Sequence, residues 1–100
     1  MQKLKGIVHM NEQENEGTLS FFGTQTYMTK NFSNTFGEES PAIVFTAVSM
    51  IMEAHPEGAD YFQTFCYELA DGHKTTFWLI IDETEDNQPN ILTALLPEDY

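Results

Sequence analysis

One hundred residues make one domain, and with 41% hydrophobic and 13% aromatic residues the composition is that of a folded protein and not of a disordered acidic tail. Sixteen Asp and Glu stand against four Lys and no Arg, a formal net charge of −12. Direct nucleic-acid binding is therefore all but excluded and anionic membranes are disfavoured, since both need several cations on one face, whereas a basic protein partner would be drawn in by the field.

Lys3 to Met10 reads as a first strand, with Leu4, Ile7 and Val8 apolar and Gly6 as a bulge. The N-terminal stretch lacks the long apolar run of a signal peptide, and no segment approaches the length of a membrane span. The single cysteine, Cys66, cannot form an intramolecular disulfide, so a reducing, cytoplasmic setting is expected. Asn11 to Gly17 is polar and reads as a hairpin loop before a second strand from Thr18 to about Met28, with Gly23 as an interruption.

Asn31 to Glu39 reads as an ordered loop pinned by Phe32 and Phe36. A helix is then expected from Ser40-Pro41, with Ser as N-cap, Pro at the first helical position, and Glu38 and Glu39 just before the positive end of the dipole. Val44, Ala47, Val48, Ile51 and His55 recur at three- and four-residue spacing, flanked by Ile43 and Met52. The helix is apolar almost all round, so its outer side is expected to be partly covered, by a partner or a second subunit. Met50 and Met52 suit an adaptable contact surface, but core filling is the commoner use of such residues. His55-Pro56-Glu57-Gly58 ends the helix.

Asp60 to Glu83 is the clearest hairpin. Tyr61, Gln63, Phe65, Tyr67 and Leu69 share one face and Phe62, Thr64, Cys66 and Glu68 the other, while Phe77, Leu79 and Ile81 alternate with Trp78 and Ile80. Neither face is cleanly polar, so both are expected to be covered, one by the helix and the other by a partner. Asp71-Gly72 suits a two-residue type I′ turn. Asp82 to Pro89 is an acidic loop, and Asn90 to Leu96 is a last strand stopped by Pro97. Residues 1–100 thus form a single α+β domain, an antiparallel sheet of about five strands with one helix packed across it in the order β-β-α-β-β-β.

No catalytic or cofactor motif occurs in the chain. His9, His55 and His73 lie at element ends, where histidines usually cap or face solvent, and no pair has ligand spacing. Cys66, between Phe65 and Tyr67, reads as a buried inert thiol. Asp82 to Asn87 has oxygen ligands at alternating positions but no glycine at the turn and no closing acid, a poor match to a calcium loop. No catalytic residue, metal or cofactor is expected. The residues left to carry function are the carboxylates of the loops and element ends, Glu12, Glu14, Glu16, Glu38, Glu39, Asp82, Glu83, Glu85 and Asp86, which would meet a basic, nucleic-acid-binding surface of another protein if they share one face.

From Tyr27-Met28-Thr29-Lys30, through Asp60-Tyr61-Phe62-Gln63-Thr64-Phe65, to Leu95-Leu96-Pro97-Glu98-Asp99-Tyr100, the chain resembles an uncharacterised family of small proteins of Gram-positive bacteria and their phages. The resemblance carries no known activity, and it implies a mobile-element context in which small acidic proteins block host machinery. The expected function is thus a non-enzymatic acidic inhibitor, a nucleic-acid mimic acting in the host cytoplasm. The alternatives are a self-associating assembly protein, such as a homodimer, and a small divalent-ion-binding protein or enzyme.

Overall fold

A computed structural model describes residues 4–11, 17–21, 23–84 and 88–100. Strand β1 (Ile7–Met10) is followed by β2 (Gln25–Met28), helix α1 (Lys30–Phe36), a 3-10 turn (Gly37–Glu39), helix α2 (Ser40–Ala54), strands β3 (Phe62–Glu68), β4 (Lys74–Asp82) and β5 (Ile91–Leu95), and a second 3-10 turn (Pro97–Asp99). The strands form one sheet in the order β1-β3-β4-β5-β2, with every neighbouring pair antiparallel except β2 and β5. The α+β class and the central hairpin are as the residue pattern predicts.

The β3 and β4 side chains obey the period of two. Gln63, Phe65 and Tyr67 are buried on β3 and Phe77, Leu79 and Ile81 on β4, all turned toward the helices. There they meet Phe32 and Phe36 of α1 and Ile43, Val44, Ala47 and Ile51 of α2. The rings interlock: Phe77 stacks on Phe65 at 5.2 Å and takes the edges of Phe32 and Phe36 at 5.6 and 5.7 Å. Ile43, expected at the flank of the helix, is fully buried. Met50 and Met52 pack half-buried against this core.

The segment 31–39 is not a loop. Thr29, in an extended conformation, accepts the Phe32 N–H on Oγ1 at 3.1 Å and caps α1. Phe32 and Phe36, one turn apart, are the two residues of that helix that are buried. The turn-forming Asn and Ser residues between them occupy its outer side, where their alternative hydrogen bonds do little harm. Because the chain is already helical before Ser40, that residue is not an N-cap. Its backbone is αR, and its hydroxyl, in a residue only 2% exposed, has no hydrogen-bond partner. Ser40→Ala is therefore expected to leave stability unchanged or raise it by up to about 1 kcal/mol, since it removes a buried unpaired hydroxyl. A capping serine would lose about 1 kcal/mol instead, and urea denaturation of the two proteins distinguishes these outcomes.

Glu38 and Glu39 do precede α2, with Glu39 at its N-cap position, but the Glu39 side chain makes no capping hydrogen bond there. Glu39 is a tie: its Oε2 accepts the Lys5 N–H at 2.7 Å and its Oε1 the Tyr67 O–H at 3.0 Å, while Tyr67 Oη accepts the Gly6 N–H at 2.9 Å. Burial, with the neighbouring Glu39 carboxylate, raises the Tyr67 pKa and keeps the phenol protonated as the bridging donor.

Strand β2 also departs from the expected pairing. It is not joined to β1 in a hairpin; the two lie at opposite edges of the sheet. Leu19 makes an isolated bridge to Ala59, Gly23 turns the chain at φ +67°, and only then does β2 run parallel to β5. The β3–β4 turn is likewise longer than two residues. Leu69 N–H donates to the His73 carbonyl and Gly72 N–H to the Leu69 carbonyl, closing a three-residue loop with Gly72 at φ +91°. Asp71 Oδ1 accepts the His73 N–H and secures that loop, the role that short acceptors play in turns.

Candidate functional site

The register fixes what lies on the side of the sheet away from the helices. Ile7 and His9 of β1 stand beside Glu68 and Cys66; Phe62, Thr64, Cys66 and Glu68 of β3 stand beside Ile80, Trp78, Thr76 and Lys74; Trp78, Ile80 and Asp82 of β4 stand beside Leu95, Thr93 and Ile91; and Tyr27 of β2 stands beside Thr93. Among the described residues no helix covers this face. The C-terminal turn folds onto it and brings Tyr100 against Trp78.

A row of rings results, with Phe62, Trp78 and Tyr100 on this face and Tyr61, just before β3 and opposite Ile81, meeting Phe62 from the end of the strand. Tyr61 meets Phe62 at 6.2 Å, Phe62 meets Trp78 at 4.9 Å, and Trp78 meets Tyr100 at 5.7 Å, with interplanar angles of 62°, 58° and 75°. None of the four belongs to the core cluster. Tyr100 is 80% and Tyr61 56% exposed, while Phe62 and Trp78 are half-buried by their neighbours in the sheet. The row lies beside Leu95, which is buried yet outside the core cluster. An aromatic strip of this kind on a sheet face is the type of surface enriched at protein interfaces.

Asp99 holds the turn that carries Tyr100. Its Oδ2 accepts from the Thr29 hydroxyl at 2.7 Å and from the Leu96 N–H at 3.0 Å, and its Oδ1 accepts from Asn31 Nδ2 at 2.7 Å. The Thr29 hydroxyl bond, then the Leu96 and Asn31 bonds, hold the Asp99 carboxyl below its ordinary value of 3.8. A depressed folded pKa means that the contribution is complete above the unfolded value and is lost as pH falls through the folded one. Acidification below about pH 4 is thus expected to release the turn and change Trp78 emission before the core unfolds, and Asp99→Asn should produce the same change at neutral pH.

The structure divides the acidic residues between two ends of the sheet. Glu39 is bonded to Tyr67, which lies opposite Thr75, and Glu38 precedes it. Asp82 is seven residues further along β4, about 23 Å away at ~3.3 Å per residue, with Glu83 beside it. These two pairs are not brought together. Asp82 is on the ring-bearing face, and Glu68, at its far end, accepts from or pairs with His9 Nε2 at 3.0 Å. Glu12, Glu14, Glu16, Glu85 and Asp86 lie outside the described residues.

Cys66 is half-buried on the open face opposite His9, and is not the fully buried thiol its apolar neighbours suggested. Among the described residues no group of three or more His, Cys, Asp or Glu side chains could hold a metal ion, and no helix is long and apolar enough to cross a membrane. A second apolar surface, a groove of ≈ 520 Å³ between α2 and the edge strand β2, is lined by Phe21, Met28, Val44, Phe45, Val48 and Met52 among others, with no charged side chain.

Comparison with family models, with curated proteins and with solved structures finds no match to this chain. The reading of its function therefore rests on its own surface.

Proposed function

We propose that this chain is a non-enzymatic binding protein that docks, through the open face of its sheet, onto a basic surface of another protein. The partner surface is one that binds nucleic acid in a host defence or DNA-processing protein, and the chain acts as an inhibitor of phage or mobile-element origin. The observation that carries this reading is the row Phe62–Trp78–Tyr100, which Tyr61 extends from the end of β3, on a sheet face that also bears Asp82 and Glu68, in a chain of net charge −12 without arginine. Aromatic residues supply contact area and the carboxylates around them supply steering and register. The family resemblance of the chain adds the mobile-element context.

The test is capture from a host lysate at low and high salt, followed by competition with duplex DNA. The expected result is a nucleic-acid-binding protein that is retained at low salt, is released by salt, and loses its DNA in the presence of a stoichiometric amount of this chain. Capture that is indifferent to salt, or a captured protein that binds DNA equally well with this chain present, overturns the reading.

A second reading, self-association, is favoured by one feature. Strand β2 is an edge strand with all four residues exposed and none of the charges or prolines that usually guard an edge. Light scattering that shows a concentration-dependent dimer supports it, and a monomer at all concentrations removes it.

A further inference from the structure

We infer that the ring row is a platform for arginine side chains of the partner, an inference that rests on the docking reading above and specifies its chemistry. Three observations point to the guanidinium group. First, the rings meet edge to face or tilted and not as a closed stack, at 58° to 75° to one another, and the two end members, Tyr61 and Tyr100, are 56% and 80% exposed. An open aromatic face attracts a cation, and tryptophan and tyrosine do so more strongly than phenylalanine. Second, carboxylates are placed along the same strip. Asp82 shares the face of Trp78 and Ile80 on β4, and Glu98, exposed, is in the turn that carries Tyr100. Third, the chain contains no arginine, so no guanidinium of its own can fill the site, and Lys74 on this face stands opposite Glu68 at the start of β4, four residues from Trp78.

Arginine fits this surface better than lysine for reasons of shape and hydration. The guanidinium is planar, sheds water more readily than an ammonium, stacks on a ring and still presents N–H pairs in its plane to a carboxylate. Lysine is a strongly hydrated point charge that gains mainly from the net field. The chain thereby takes up the side chains by which a nucleic-acid-binding surface would otherwise clamp phosphates or stack on bases.

The experiment uses the single tryptophan as reporter. Hexa-arginine and hexa-lysine peptides of equal charge are titrated into the full chain at low and at physiological salt while Trp78 emission is followed. The expected result is that the arginine peptide binds roughly tenfold more tightly, the ratio that about 1.4 kcal/mol gives, with a change in Trp78 emission that survives at physiological salt, where the lysine peptide is released. Tyr100→Ala should remove most of that advantage and leave the lysine affinity unchanged, and Tyr100→Phe should retain most of it; with 80% of Tyr100 in solvent, neither threatens the fold. Equal affinity for the two peptides at both salts, or an arginine preference untouched by Tyr100→Ala, overturns the platform. If Tyr100→Ala also displaces DNA from a captured partner as well as the parent chain does, the platform fails while the docking reading stands.

Discussion

Phe77→Ala is expected to lower the free energy of unfolding by about 3–5 kcal/mol. Phe77 is fully buried at the centre of β4, stacked on Phe65 across the hairpin and touched by the edges of Phe32 and Phe36. Truncation removes the transfer free energy of a phenyl ring and three ring contacts at once. The cavity cannot collapse readily, because the residues around it belong to three different elements, α1, β3 and β4, each fixed by its own backbone hydrogen bonds. Domains of this size unfold with about 5–15 kcal/mol in hand, so the variant should be marginal at 25 °C. Urea denaturation measures the loss. Trp78→Ala, at the next residue of β4 but on its opposite, open face, should cost clearly less, and an equal loss for the two would mean that the open face is covered by more than the C-terminal turn.

That contrast between neighbours on one strand was legible in the sequence, but only in part. The alternation of Phe77, Leu79 and Ile81 with Trp78 and Ile80 assigns the two faces of β4 correctly, and the mixed character of both faces already implies that neither is simply solvated. What it leaves open is which face the helices take. Nor does it show that Tyr100, remote in sequence, returns to extend the ring row, since that return depends on Asp99 reaching Thr29 and Asn31. The acidic residues singled out from composition carried no geometric information at all. Glu39 proves to be engaged with Tyr67 and Lys5, and Asp82 is the one of the described candidates placed by register on the ring-bearing face.

The errors in the elements have a common physical origin. Local signals at 31–39 favour a loop, because Asn, Ser, Thr and Gly all weaken a helix, and Ser40-Pro41 has the form of a helix start. Tertiary burial of Phe32 and Phe36 outweighs those local preferences, each worth a few tenths of a kcal/mol to about 1 kcal/mol, against about 1.5–3 kcal/mol for each buried ring. The pairing of β2 with β5 and not with β1 is of the same kind. Residues 25–28 read as a strand from their own composition, but the choice of neighbour is decided across the whole chain.

Gly58→Ala is the second substitution expected to be severe, although it adds a single methyl group to a residue of no evident chemistry. Gly58 sits at φ +125°, a conformation that costs an L-residue on the order of 1–3 kcal/mol. A Cβ there would also lie 2.6 Å from the Thr18 backbone carbons, and backbone cannot yield as the tip of a side chain can. Thr18 is held in place because its neighbour Leu19 exchanges two backbone hydrogen bonds with Ala59, each 3.0 Å long. To admit the methyl group the pair must separate, which breaks those bonds and lifts the strip that covers Ile51 and the end of α2, where Leu19, Phe21, His55 and Ala59 line a cavity of ≈ 250 Å³. The expected result is a fall in Tm of at least about 5–10 °C, at 4–8 °C per kcal/mol for a domain of this size. Faster hydrogen exchange should be concentrated at the Leu19 and Ala59 amides. Gly23→Ala makes the comparison informative. Gly23 is also at positive φ, +67°, but has open space where its Cβ would lie, so it should lose only the conformational part. If the two alanine variants lose the same stability, the close approach of Thr18 to Gly58 contributes nothing, and the strap from 17 to 21 is not held as its hydrogen bonds imply.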